Sequence, residues 1–203
     1  MMPRPIPLLA SLGLLAACAG AQPTYYTLLA PLPSAPAAAP VQGWAGFQVR
    51  RVEVPSQLDR RAVVLTVPPG AQVRLLNDSQ WASPLPDELS LALASGLQSR
   101  LGVPQLADTG GKAAFWRLDM AVQRFESIYG ERAALELSWS LRPVGFKAPA
   151  YQCRWLDSEP ASSVSELIDA HRRLQGRLAD ALAAQMQGKT VPMELVNSLS
   201  CMG

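Results

Sequence analysis

From Ala113 to Ser127 and again from Ala133 to Leu141 apolar and polar residues alternate with a period of two, and no other feature of the chain narrows its fold as much. Trp116, Leu118, Met120, Val122 and Phe125 interleave with Arg117, Asp119, Gln123 and Glu126. Leu135, Leu137, Trp139 and Leu141 then interleave with Glu136, Ser138 and Ser140. Successive side chains of a strand point to opposite faces, so each run reads as a strand with one buried and one wetted side. The two form a long antiparallel pair, and Tyr151 to Leu156 adds a shorter edge strand.

Two segments carry the other period. Leu85, Leu89, Leu93, Leu97 and Leu101 recur every four residues beside Ala92 and Gly96, until Gly102-Val103-Pro104 ends the pattern. Ser83 is the expected cap of this helix, with Pro84 at its first position. The stripe serves the core in the simpler reading and a partner helix or bilayer in the other. Ser163 opens a second helix in a capping box with Glu166. Val164, Leu167, Ile168, Leu174, Leu178, Ala181, Leu182 and Met186 line one face of it as far as Gly188.

The N-terminal half reads as strands. Thr24 to Leu29 is rich in β-formers, and Ala30 to Gln42 is a Pro/Ala stretch suited to a surface loop. Phe47 to Val54 alternates, with Arg50-Arg51 breaking the phase as a bulge does. Ala62 to Val67 and Gln72 to Leu76 flank Pro68-Pro69-Gly70 as a hairpin. The predicted architecture is therefore α+β: a largely antiparallel β-sheet covered on one side by two long amphipathic helices. Tyr, Trp and Arg side chains are expected to alternate outward on the other face, which with the exposed strand edges is the natural partner surface.

The N-terminus carries a different signal. Arg4 precedes about 12 apolar or small residues, too few to span roughly 30 Å of hydrocarbon, and Leu15-Ala16-Ala17-Cys18 closes the run as a lipid-attachment box. This predicts a signal peptide over 1–17, a lipidated Cys18 as first mature residue and a tether over 18–23. A single domain over 24–190 and a C-terminal tail over 191–203 follow. The duller reading makes Cys18 an ordinary small residue beside a cut at a neighbouring Ala. Ala19, with no Asp after the Cys, fits onward sorting to the periplasmic face of the outer membrane. Cys153 and Cys201 remain, and an oxidising periplasm favours a disulfide between them; the alternative is two free thiols.

Catalytic and nucleic-acid signatures are absent from the sequence. Net charge is +2 with 17% charged residues and no polybasic stripe, which removes the main support for nucleic acid. There is no Gly-x-Ser-x-Gly elbow, P-loop or dinucleotide fingerprint, and Gly110-Gly111-Lys112 reads as a turn. His171, the single histidine, sits mid-helix beside Arg172 and Arg173 and is expected on the helix surface rather than on a metal. No enzyme and no cofactor are predicted.

Several segments, in order, carry a family likeness: Tyr25-Tyr26-Thr27-Leu28, Val52-Glu53-Val54-Pro55 followed by Leu58-Asp59-Arg60, Trp81-Ala82-Ser83-Pro84-Leu85, and Leu118-Asp119-Met120 to Phe125. With the lipid box, they make the chain resemble the PqiC-type (DUF330-like) auxiliary lipoproteins of ABC transport systems over nearly the whole mature domain. The Pro/Ala richness of Ala30 to Gln42 departs from that likeness. The resemblance implies a non-enzymatic component of a machine that moves phospholipid between membranes. It further implies an MCE-domain channel protein as partner, an outer-membrane anchor or dock role for this chain, and assembly as a ring of copies. Tyr25, Tyr26, Asp59, Arg60 and Trp81 are its candidate partner-surface residues. Each has a plainer reading: one tyrosine filling the core and the other staying wet, Asp59 holding turn N–H groups, and Arg60 packed over Trp81. The alternative function is a carrier lipoprotein binding a lipid or lipopolysaccharide in an apolar groove, which requires a large internal cavity.

Overall fold

The computed structural model describes residues 22–30, 43–70, 72–107, 113–191 and 199–202. Cys18, the signal segment, nearly all of the Pro/Ala stretch and Gly110-Gly111-Lys112 lie outside them. The chain order is β1 (Thr24–Tyr26), β2 (Gly46–Val49), β3 (Ala62–Val67), β4 (Gln72–Trp81), α1 (Leu85–Leu101), β5 (Phe115–Ile128), β6 (Arg132–Val144), β7 (Tyr151–Pro160), α2 (Val164–Met186) and β8 (Leu199–Met202).

The alternating runs form the centre of one eight-stranded sheet. β5 and β6 pair antiparallel, with Leu118 opposite Leu141, Met120 opposite Trp139 and Phe125 opposite Leu135. A bulge between Val122 and Arg124 lets Gln123 and Arg124 both face solvent before the alternation resumes. The strand order is β1-β4-β3-β5-β6-β7-β8, with β2 also lying along β5. The sheet is largely antiparallel, and three junctions are parallel: β1 with β4, β2 with β5, and β3 with β5. α2 crosses β5, β6 and β7 on one face, and α1 packs beside it.

Several boundaries differ from the sequence reading, each for a local reason. β1 stops at Tyr26 because Thr27 and Leu28 leave the sheet to bond Glu88. β2 ends before Arg50-Arg51, and pairing resumes only at the Glu53–Ala121 bridge. β4 continues to Trp81, five residues past its expected end, to meet β1. β7 continues to Pro160 and is an interior strand, since β8 pairs with it inside what reads as a tail. Pro84, not Ser83, is the N-cap of α1; Ser83 instead donates from both its N–H and its hydroxyl to Glu88. Ser163 does cap α2, accepting from the Glu166 N–H, while the Glu166 carboxylate takes the N–H of Ser162.

The core lies between the sheet and the helices. The closest approach of α1 to α2 is set by small residues: a Cβ on Gly96 would come within 3.1 Å of Ala179 Cβ. Arg100 then spans the gap, bonding Asp180 Oδ1 at 2.5 Å and the Gly176 carbonyl at 3.1 Å. Gly46 is required for a similar reason. There β2 is pressed between β5 and the strap of residues 104–106, and a Cβ would sit 2.5 Å from the Pro104 carbonyl.

His171 corrects the surface expectation. It is fully buried, its ring stacked on Phe125 at 3.8 Å and its Nε2 3.0 Å from Ser127 Oγ. Its two arginine neighbours in sequence lie on other sides of the helix, where Arg172 bonds the Thr27 carbonyl and Arg173 pairs with Glu159. Burial pushes the imidazole pKa down to about 3.

Candidate functional site

All five tryptophans are buried, Trp116 and Trp139 on the core side their alternation predicts, so tryptophan takes no part in the outward alternation that was expected. The face of the sheet away from the helices belongs to arginines and carboxylates. On β5 these are Arg117, Asp119, Arg124 and Glu126; on β6, Glu136 and Arg142; on β7, Arg154. They pair across strands in alternating sign. Asp119 takes Arg142 Nη2 at 2.8 Å and Arg50 Nε at 3.4 Å, and Glu136 takes Arg154 Nε at 3.0 Å and Arg124 Nε at 3.5 Å. Arg117 bonds Gln48 Oε1 at 3.2 Å and lies over the Phe115 ring.

Two adjoining depressions of about 690 and 700 Å³ open on this face and share Glu53, Asp119 and Met120. The first is bounded by Arg50, Arg51 and Asp59, the second by Ser138, Arg154 and Met202. Both are open to solvent. An exposed pair such as Asp119–Arg142 contributes about 0–1 kcal/mol to folding, whereas Glu136 is the buried member of the ladder. Two-signed, solvated charge suits selective docking of a complementary protein surface more than retention of an acyl chain.

The predicted site residues separate on inspection. Tyr25 is 58% exposed, whereas Tyr26 packs on the core. Asp59 pairs with Arg51 at 3.6 Å and lines the first depression. Arg60 is exposed, and among the described residues it stacks on no ring; Trp81 instead meets Phe125 edge-on at 6.0 Å. Trp81 is 2% exposed and is core, not partner surface. Cys153 and Cys201 stand opposite each other in β7 and β8 and are joined by a disulfide, with Gln185 donating toward both sulfurs.

Two clusters escaped the sequence reading. Glu88 is buried, and its carboxylate accepts from Thr27 Oγ1 at 2.7 Å, Leu28 N at 2.8 Å, Ser83 N at 3.0 Å and Ser83 Oγ at 2.7 Å. The available signal was a carboxylate in the first turn, five residues after Ser83. Arg177 of α2 reaches Asp157 at 2.6 Å and also Glu159, pinning the helix to β7. Burial raises the Glu159 carboxyl, but the hydrogen bond and charge of Arg177, with Arg173, outweigh it and hold the group below its ordinary range.

The model of a family described as ABC-type transport auxiliary lipoprotein component matches residues 26–183. Among solved structures, an uncharacterized protein is similar at 20% identity and a TM-score of 0.63, over 81% of this chain and 99% of its own. A Xanthomonas campestris protein of the DUF330 family is similar at 18% identity and a TM-score of 0.56, over 81% of this chain and 96% of its own. At such identities the likeness shows the fold alone. No match was found among curated proteins.

Proposed function

The chain belongs to the ABC-type transport auxiliary lipoprotein component family, and from that premise we propose that it is a non-enzymatic, periplasm-facing subunit of an MCE/ABC-type phospholipid transport system. In this reading lipid on Cys18 holds it to the outer membrane, and the open face of the sheet docks the far end of the trans-periplasmic channel, alone or as a ring of copies. The observation that carries the docking role is the ladder of Arg and carboxylate side chains over two open depressions. Such a face gives register and selectivity to a protein contact at little expense in fold stability. The carrier reading asks for an enclosed apolar cavity, whereas the apolar stripes of α1 and α2 are engaged in the core.

The test is crosslinking of the full-length lipoprotein in intact envelope, with partners identified by mass spectrometry. Wild type is expected to capture an MCE-domain protein. Cys18→Ala is expected to lose it through release from the membrane, and Arg142→Glu with Arg154→Glu to lose it while remaining membrane-bound. Capture that survives the arginine reversals would remove the open face from the proposal.

A further inference from the structure

The β3–β4 hairpin and the β5–β6 turn leave apolar side chains in water at one end of the sheet. Val73 is 67% exposed and Leu75 42%, opposite Thr66 and Val64 on β3. Pro68 and Pro69 at the hairpin turn are exposed. Tyr129, whose N–H donates to the Thr66 carbonyl at 3.4 Å, stands 53% exposed nearby. No residue from Val67 to Val73 is charged. A clustered apolar group rimmed by polar surface marks a contact with a protein or a membrane.

The direction of β1 says which. β1 runs parallel to β4, with Thr24 opposite Ser79 and Tyr26 opposite Trp81. The N-terminal end of β1 therefore faces the hairpin-turn end of β4. Cys18 precedes Thr24 by six residues, a reach of about 20 Å when extended. Six residues back along β4 from Ser79 is Val73. An acyl chain on Cys18 thus has the reach to meet its bilayer beside the exposed apolar residues.

Resting on the reading that Cys18 carries lipid, we infer that this end of the sheet lies on the bilayer holding the anchor. Val73, Leu75 and the Pro68-Pro69 turn enter the boundary between headgroups and acyl chains, and Tyr129 sits at headgroup level with its hydroxyl wet. A weak contact suffices, because the lipid keeps the local concentration of membrane high. The loop between β6 and β7, at the opposite end of the strands, then points away from the membrane, and the charged face stands to the side.

The experiment places a single polarity-sensitive dye on the full acylated protein, at Val73→Cys or at Lys147→Cys in the β6–β7 loop, with the native disulfide intact. The protein is reconstituted in phosphatidylethanolamine/phosphatidylglycerol vesicles carrying nitroxide on the lipid acyl chains, and acylation is verified by intact mass. Quenching several-fold stronger at position 73 than at position 147 is the expected result. Acylated protein with equal quenching at both positions overturns the inference and leaves the anchor standing; an unacylated N-terminus overturns both. A dye at position 73 that is shielded from water but not quenched assigns the patch to a protein neighbour and also overturns it.

Discussion

The two faces of β5 and β6 are made from alternate residues of the same strands, yet they live under opposite rules. On one, Trp116, Leu118, Leu137 and Trp139 are buried in a dry core. On the other, Asp119 pairs with Arg142 and the buried Glu136 with the exposed Arg124 and Arg154. Stability resides in the first face, and the second is the one proposed to choose partners. Large losses from substitutions on the open face would break this contrast.

The largest effect is expected at Trp116→Ala, whose ring packs edge-on against Phe146 at 5.2 Å. It should cost about 3–5 kcal/mol in denaturant unfolding. Glu88→Ala leaves the buried N–H of Leu28 and the half-buried N–H of Ser83 without their acceptor and should cost roughly 2–4 kcal/mol, with Glu88→Gln milder. Cys201→Ser opens a link between residues 48 apart and should lower stability by about 2–4 kcal/mol, measured against wild type with and without reductant.

A pH series sharpens the contrast further. Because the His171 pKa falls to about 3 on folding, the unfolded chain takes up a proton below about pH 6.5 that the folded one refuses. Stability should therefore fall on acidification from pH 6.5 toward 3, by up to about 1.4 kcal/mol per pH unit from this group. His171→Phe should flatten that slope; an unchanged slope would assign it to the carboxylates, Glu159 among them. The smallest effect belongs to the open face. Asp119→Ala should cost less than about 1 kcal/mol while weakening capture of the transport partner.

Periodicity made the central strands, both helices and the β3–β4 hairpin legible, because burial on one side writes itself into alternate or every-fourth residues. The parallel junctions were not legible, since β1 and β2 are only three and four residues long and their neighbours are remote in sequence. β8 was hidden for the same reason. His171 was misread because its flanking arginines suggested a polar face, although one residue on a helix lies about 100° from the next and shares little of its surroundings. Trp81 belonged to a recognisable motif, yet motif membership carries no information about burial. The pairing of charges on the open face depends on register, which no single strand encodes.

The short parallel strand β1 has a mechanical consequence. If the N-terminus is held by lipid and the domain is held by a partner, any tension between the two must pass through Thr24 to Tyr26. Three register pairs with β4 would take that load along the strand axis. Immediately behind them, Thr27 and Leu28 are clamped by Glu88 of α1, and the Thr27 carbonyl by Arg172 of α2 at 3.0 Å. A pull on the anchor is thus shared between the sheet edge and both helices, and the domain resists being peeled from its tether one strand at a time.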